Sequence, residues 1–301
     1  MKNFVWEIEE LSRPHVHIKD KNVVNQKLSR LIEDGFKKLQ VVSDFDKTLT
    51  KQHENGKLHL SSFAMFSTCP SVTQEHKVTA DELNRKYAPY EVDPTIPQDV
   101  KVQLMIEWWT KSEEILKGLS VTKDEIERVC GELCPSLRDG TKELFESLEA
   151  NNVPILVFSA GLGDTVVAVL KHCQVYLSNV EVVSNFLKYN NNGIIEGFQN
   201  LVIHIYNKNE VAIKGTHFYH RIMDKENALL MGDSLGDASM VDGMENVKEV
   251  LKIGFLYERS EESLPSYMDT FDIVLVDDQT MDIPRAIIDL IKSKQIQGDC
   301  I

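Results

Sequence analysis

Apolar positions alternate between short β-branched runs and helical stripes over much of the chain. Val23, Val24, Leu28, Leu31 and Ile32 share one face of a helix that ends at Gly35 and leads into a strand at Leu39–Ser43. Leu144, Phe145 and Leu148 predict a further helix, followed by a strand at Pro154–Phe158. Val166, Val167 and Leu170 predict the next helix, followed by a strand at Val180–Ser184. A longer β pattern runs from Leu201 to Tyr206, then Ala228–Met231, Val250–Phe255 and Phe271–Val276, before a closing helix bearing Ile283, Ile287, Ile288 and Leu290. Strands alternating with helices at this spacing imply an α/β fold, a Rossmann-like and mainly parallel sheet with helices on both faces. Residues 51–135 read differently, with many charges, aromatic clusters and helical patterns such as Val102-Met105-Ile106-Trp109 and Ile115-Leu116-Leu119. The expected division is therefore a core of residues 1–50 and 136–301, with its N-terminal helix, and an inserted helical cap of residues 51–135 over the carboxyl edge of the sheet.

Composition narrows the partners. A chain of 301 residues, 42% hydrophobic, can bury a full core and is long enough for two domains. A formal net charge of −14 argues against binding a nucleic acid polymer, which needs clustered Lys and Arg, so any phosphate must be held locally by a metal or a few placed cations. The first ten residues are acidic and lack the apolar stretch of a signal peptide, and no apolar run approaches the roughly 20 residues that span a bilayer. Cys69, Cys130, Cys134, Cys173 and Cys300 are odd in number and scattered. Cys130 and Cys134 have helical spacing but no neighbouring His or Cys, so reduced thiols in the cytoplasm are a simpler expectation than zinc.

Chemistry concentrates at the ends of the apolar runs. Val41 and Val42 lead through Ser43 to Asp44 and Asp46, two carboxylates one residue apart. Taken alone, such a pair reads equally well as a solvated strand end and Asx turn. At the carboxyl end of a strand it can also supply a nucleophile, an acid or base, and ligands for a hard cation. Phe158-Ser159-Ala160-Gly161-Leu162-Gly163-Asp164 places a hydroxyl and a glycine-rich turn between a strand and a helix, where backbone N–H groups and the helix N-terminus favour an anion. Gly232-Asp233-Ser234-Leu235-Gly236-Asp237 repeats the arrangement with a second Asp pair, and Lys208 stands just past the apolar run ending at Tyr206. A lone loop lysine is ordinarily a solvated charge. An Asp pair, a Ser with glycines, a Lys and a second Asp pair, in this order and each expected to end a strand of one parallel sheet, are not explained by four separate surface turns.

That order resembles the four-motif signature of the haloacid dehalogenase-like phosphohydrolases. Asp44–Thr50 corresponds to the first motif, Phe158–Gly161 to the second, Lys208 to the third and Gly232–Asp237 to the fourth. Further strings, including Tyr90-Glu91-Val92-Asp93-Pro94, Glu107–Ser112, Val182–Phe186, Tyr206–Asn209 and Leu251–Leu256, resemble the cytosolic type III 5'-nucleotidases from about residue 20 onward. The resemblance implies a Mg²⁺-dependent hydrolase of nucleoside 5'-monophosphates. Asp44 would attack phosphorus to form an aspartyl-phosphate, and Asp46 would act as general acid and then base. Mg²⁺ would be held by the Asp44 side chain, the Asp46 backbone carbonyl and Asp233. Ser159 and the Ala160 N–H would hold phosphate oxygens with Lys208, and Asp237 would position Lys208 or a metal-bound water from behind.

Substrate choice would rest with the cap. Glu91, Trp109, Phe63 and Ser112 match base- or sugar-contacting positions of the family. Plain aromatics at Trp109 and Phe63 resemble the branch acting on 7-methyl-GMP, whose cationic base would gain about 0.5–2 kcal/mol between aromatic faces. Glu91 could accept from guanine N1–H and the 2-amino group or from the cytosine 4-amino group, so CMP is an expected substrate too. Trp108 and Trp109 diverge by about 100° on a helix, so at most one is expected to face the site. Met65 and Phe66 are alternatives to Phe63. Lys47 departs from the family pattern. The competing readings are a pyrimidine 5'-nucleotidase preferring CMP and UMP and, in a different class, a catalytically inactive nucleotide-binding scaffold. A monomer with no membrane or nucleic acid partner is expected.

Overall fold

A computed structural model describes residues 3–298 apart from Asn55, Pro94, Cys134 and Gly215. Cys134 and Cys300 therefore lie outside the described residues. After two 3-10 turns come β1 (Val16–His17), α1 (Lys21–Lys38) and β2 (Leu39–Ser43). The chain then leaves the sheet through the hairpin β3 (His53–Glu54) and β4 (Lys57–Leu58), and the helices α2 (Ser62–Ser67), α3 (Gln74–Val92), α4 (Gln98–Leu116) and α5 (Lys123–Leu133). It returns as α6 (Thr141–Ala150), β5 (Ile155–Leu162), α7 (Gly163–His172) and β6 (Val180–Asn185), followed by a second hairpin, β7 (Leu187–Tyr189) and β8 (Ile195–Phe198). The last part is α8 (Glu210–Ile213), α9 (His217–Ile222), β9 (Asn227–Gly232), β10 (Glu249–Leu256), α10 (Ser260–Thr270), β11 (Ile273–Val276) and α11 (Asp282–Gly298).

Seven strands form one sheet in the order β1-β11-β10-β9-β2-β5-β6. All pairings are parallel except that of β1 with β11. The strands alternate faces residue by residue. Val41, Ile155, Val157, Leu229, Met231 and Ile253 join one buried cluster with Leu28, Phe145, Val166 and Ile287. Val42, Leu156, Phe158, Leu230 and Val274 join another with Ile213, Phe218 and Ile222. Both faces are covered, so β2 and β9 are buried along their whole length and mainly apolar, as the α/β reading requires.

The helix α1 breaks where the glycine signal stood: Gly35 has φ +63, and a Cβ there would lie 1.7 Å from Gln295 Nε2. The strand expected at Leu201–Tyr206 does not form; the segment is an irregular loop. Side-chain amides take the backbone groups a ladder would need. Asn185 donates to the Ile203 carbonyl and accepts from its N–H, both at 2.8 Å. Asn207 accepts from the His204 N–H at 2.7 Å and donates to the Val202 carbonyl at 2.8 Å. Asn207 competes with a ladder locally and Asn185 does so from 18 residues away, and apolar periodicity registers neither. Lys208 consequently ends a loop, not a strand. The hairpin β7–β8 is not among the expected elements, although Asn192-Gly193 between Leu187–Tyr189 and Ile195–Phe198 is a hairpin-turn signal, with Gly193 at φ +74.

The long excursion between β2 and β5 begins and ends together. Thr50 bridges Leu137, the Lys51 N–H donates to the Ser136 carbonyl at 3.0 Å, and the Arg138 N–H to the Leu49 carbonyl at 2.9 Å. The helices α3 and α4 pack against each other, α5 packs along α7, and α4 packs on β8. Among the described residues no helix is long and apolar enough to cross a membrane.

Candidate active site

Strand β2 lies between β9 and β5, with Ser43 paired to Met231 on one side and Val157 on the other. Those three strand ends thus reach the carboxyl edge together. Asp44 follows directly, its N–H donating to the Met231 carbonyl at 3.0 Å. Asp233 emerges after β9, and Ser159 lies where the β5–β6 pairing shifts register between Phe158 and Leu162. A bulge of this kind re-aims side chains at a sheet end.

Lys208 comes from the loop and lies buried between two carboxylates: its Nζ donates to Asp44 Oδ1 and, at 2.8 Å, to Asp237 Oδ1. Asp237 is fully committed. Its Oδ2 accepts from the Asp233 N–H, the Ser234 N–H and the Ser234 hydroxyl at 3.2, 3.0 and 2.7 Å, which folds the turn after β9. Asp46 sits at the N-terminus of α2, accepting from the Ser62 N–H at 2.8 Å and the Ser62 hydroxyl at 2.7 Å. The Ser62 hydroxyl in turn accepts from the Leu162 N–H at 3.1 Å, joining α2 to the glycine-rich turn. A Cβ at Gly161 would meet Ser62 Oγ at 2.0 Å, Asp46 Oδ2 at 2.9 Å and Ser159 Oγ at 3.0 Å, so only glycine fits this turn.

The electrostatics follow from burial. Desolvation pushes the Asp44 carboxyl up to about 7, with Lys208 opposing it and Asp237 adding to it. Desolvation also raises Asp233, helped by Asp44 and Asp237. It raises Asp46 against the hydrogen bonds from Ser62. Lys208 loses by desolvation but gains more from Asp237 and Asp44, and ends above its ordinary value. Negative charge is thus in excess around one buried ammonium. Carboxylate oxygens of Asp44, Asp233 and Asp237 lie within 4.8 Å of one another. An all-oxygen set with surplus negative charge fits a hard divalent cation. Because Asp237 is already spent on Lys208 and its own turn, Asp44 and Asp233 are the side chains best placed to bind one.

Three supporting residues escaped the sequence reading. Ser62 follows another serine at a helix start, an N-terminal signal that says nothing of Asp46. Arg138 is 1% exposed and stacks over Phe255 at 3.9 Å. It donates to the carbonyls of Thr48 at 2.7 Å, Lys47 at 2.6 Å and Asp278. Burial lowers its guanidinium to about 10. It fixes the loop after Asp46, where Lys47 has φ +61 and reaches Glu258 at 2.9 Å. Tyr267 donates to the Asp233 carbonyl at 2.6 Å. No periodicity announces either residue.

Among the excursion residues, Phe63 and Trp109 are both half-buried with ring centroids 5.1 Å apart at 53°. Trp109 also meets the edge of Phe198 at 6.4 Å. Trp108 instead stacks on Tyr87 at 5.9 Å. Met65 and Phe66 are buried in the core. Ser112 is half-buried on α4, one turn beyond Trp109. Glu91 lies at the end of α3, its carboxyl raised by burial and opposed first by Lys208, so the two charges sense each other. The structure thus groups Phe63 with Trp109 and brings the end of α3 to the loop before Lys208, where Tyr206 Oη donates to the Glu91 carbonyl at 2.9 Å. The two rings touch each other and leave no slot for a base between them.

A parallel sheet with paired aspartates, a serine turn and a buried lysine at adjoining ends defines a haloacid dehalogenase-like phosphohydrolase. A probable phosphoserine phosphatase from Vibrio cholerae shares this fold, at TM-score 0.52 and 14% identity over 87% of this chain and 68% of that one. Residues 47–292 match the model of the family described as pyrimidine 5'-nucleotidase (UMPH-1), and the chain belongs to that family. It is a phosphoric monoester hydrolase of the 5'-nucleotidase kind. It is 43% identical to a 7-methylguanosine phosphate-specific 5'-nucleotidase of Drosophila melanogaster, over 96% of this chain and 91% of that protein. A crystal structure of cytosolic 5'-nucleotidase IIIB bound to cytidine superposes with TM-score 0.93 at 42% identity, over 97% of this chain and 99% of that one.

Proposed function

We propose that the protein is a cytosolic, Mg²⁺-dependent 5'-nucleotidase that hydrolyses 7-methyl-GMP and CMP to nucleoside and phosphate. The observation that carries this reading is the convergence of Asp44, Asp46, Lys208 and Asp233 at one sheet edge, with Glu91 and the Phe63–Trp109 pair contributed by the segment between β2 and β5. Asp44 attacks phosphorus and the P–O bond to the ribose breaks, giving an aspartyl-phosphate. Asp46, held by Ser62, gives its proton to the leaving ribose oxygen and then takes one from the water that hydrolyses the intermediate. Ser159, the Ala160 N–H and Lys208 stabilise the phosphoryl oxygens. Mg²⁺, bound by the Asp44 and Asp233 side chains and the Asp46 carbonyl, would offset the repulsion between carboxylate and phosphate.

Residues 51–135 act as the cap in this reading, and Glu91 receives hydrogen bonds from the base edge. Two planes flanking a base stand about 7 Å apart, twice the usual carbon contact distance, so Phe63 and Trp109 part when the base enters. The relatives named for 7-methylguanosine phosphate support the substrate choice. The family description and the cytidine-bound structure favour a second reading, a pyrimidine 5'-nucleotidase preferring CMP and UMP. Phosphate release from 7-methyl-GMP, CMP and UMP, with and without chelation of Mg²⁺, separates them. Turnover of 7-methyl-GMP well above UMP, lowered by Trp109→Tyr, is expected. Negligible release from 7-methyl-GMP rejects the first reading.

A further inference from the structure

One hydrogen bond links the two poles of the site. Glu91 lies in the last turn of α3, where backbone carbonyls have no partner within the helix. Its carbonyl accepts from Tyr206 Oη at 2.9 Å and from Lys101 Nζ at 3.1 Å. Lys101 stands on α4, so that contact stays within the excursion. Tyr206 belongs to the loop of the core two residues before Lys208, so its contact crosses from one part of the chain to the other. The loop end is itself held. The Tyr206 N–H donates to His204 Nδ1 at 3.2 Å, the two rings meet edge to face at 6.5 Å, and Asn185 and Asn207 fix the preceding backbone. Burial raises the Tyr206 phenol to about 12, with the charge of Glu91 adding to the effect, so it remains a donor at neutral pH.

We propose that Tyr206 is a positioning residue that sets substrate specificity by tying the backbone of Glu91 to the loop that presents Lys208. The inference rests on the reading of Glu91 as the base-binding group. Lys208 is locked between Asp44 and Asp237, so its place in the core is fixed. A donor two residues away that grips Glu91 therefore sets the distance between the phosphate pole and the carboxylate that reads the base. Such a tie acts on any nucleoside monophosphate whose base edge meets Glu91, as both nucleotides do in the proposed reading. It contributes nothing to a phosphate ester that lacks a base, because the base edge is the only group that feels where Glu91 stands.

The test is Tyr206→Phe, which keeps the ring and its contact with His204 and removes only the hydroxyl. Steady-state kinetics with 7-methyl-GMP and CMP should show KM raised about 3- to 10-fold, the value of one hydrogen bond, with kcat within twofold. With ribose 5-phosphate, which carries phosphate and sugar but no base, kcat/KM should match that of the unmodified protein. The double variant with Glu91→Gln should be no worse than Glu91→Gln alone. An unchanged KM for both nucleotides in Tyr206→Phe overturns the proposal, provided Glu91→Gln raises it. Equal losses on nucleotides and ribose 5-phosphate also overturn it, because the tyrosine would then merely support the Lys208 loop. If Glu91→Gln leaves the nucleotide KM unchanged, the reading of Glu91 fails and the proposal falls with it.

Discussion

Replacing Gly161 by alanine should loosen Asp46, the carboxylate proposed as acid and base, by displacing the serine that holds it. The added Cβ would stand 2.0 Å from Ser62 Oγ, far inside contact distance, and 2.9 Å from Asp46 Oδ2. Ser62 has no exposed surface, so its hydroxyl cannot swing into solvent. Turning it breaks the 2.7 Å bond to Asp46 and the 3.1 Å bond from the Leu162 N–H. A hydrogen bond to a charged group contributes about 1.5–3 kcal/mol and a neutral one about 0.5–1.5 kcal/mol. The combined loss is therefore roughly 2–4 kcal/mol. Felt wholly in the transition state, that lowers kcat roughly 30- to 1000-fold. Felt wholly in folding, it lowers stability by the same amount with little effect on kcat. Steady-state phosphate release and urea melts on one preparation divide the two. In a Ser62→Ala background the alanine at 161 has lost its main obstacle, so its further cost should shrink by at least about 1 kcal/mol. A Gly161→Ala protein with kcat within threefold of the original and a stability loss under about 1 kcal/mol, or costs that simply add in the double variant, would refute the reasoning.

Arg138→Met should cost at least about 3 kcal/mol in urea melts, because three backbone carbonyls lose a buried donor at about 1–3 kcal/mol each; a loss under 1 kcal/mol would contradict its role in holding the loop after Asp46. Lys208→Met should lower kcat by about 10²- to 10³-fold. It should also destabilise the fold by about 3–5 kcal/mol, since Asp44 and Asp237 are left buried without their shared cation; retained activity would exclude Lys208 from the chemistry. Burial raises the Cys69 thiol to about 11 and the Cys130 thiol to about 12, from an ordinary 9.0. Above pH 9 the unfolded chain therefore releases these protons before the folded one, and stability present below pH 9 is lost as the pH rises toward 11–12. Thermal melts across that range should fall less steeply for Cys69→Ala/Cys130→Ala, and parallel curves would refute the assignment.

What the sequence made legible follows from where each side chain gets its position. Asp44, Ser159 and Asp233 stand immediately beyond apolar runs, and the register of β2 with β5 and β9 carries them to one edge. A pattern of period two is enough to predict that, because the backbone ladder does the placing. Lys208 was predicted at the same edge for a different reason than the one that brings it there. Val202, Ile203 and Ile205 imitate a strand, yet Asn185 and Asn207 hold them as a loop, and Asn185 lies 18 residues from the Ile203 it binds. No local period encodes a contact at that separation.

The same division explains why the supporting residues were silent. Ser62 orients Asp46 from across 16 residues, Arg138 grips the Thr48 carbonyl from across 90, and Tyr206 reaches Glu91 from across 115. Each comes from an element whose own sequence satisfies only its local role: a helix start, the return from the excursion, an irregular loop. The groups assigned to bond-making stand in the motifs, while the groups that aim them are supplied by tertiary folding. A change at Ser62, Arg138 or Tyr206 would therefore leave all four motifs intact to the eye and still weaken the site or its support, so intact motifs alone do not report how well a member of this family works.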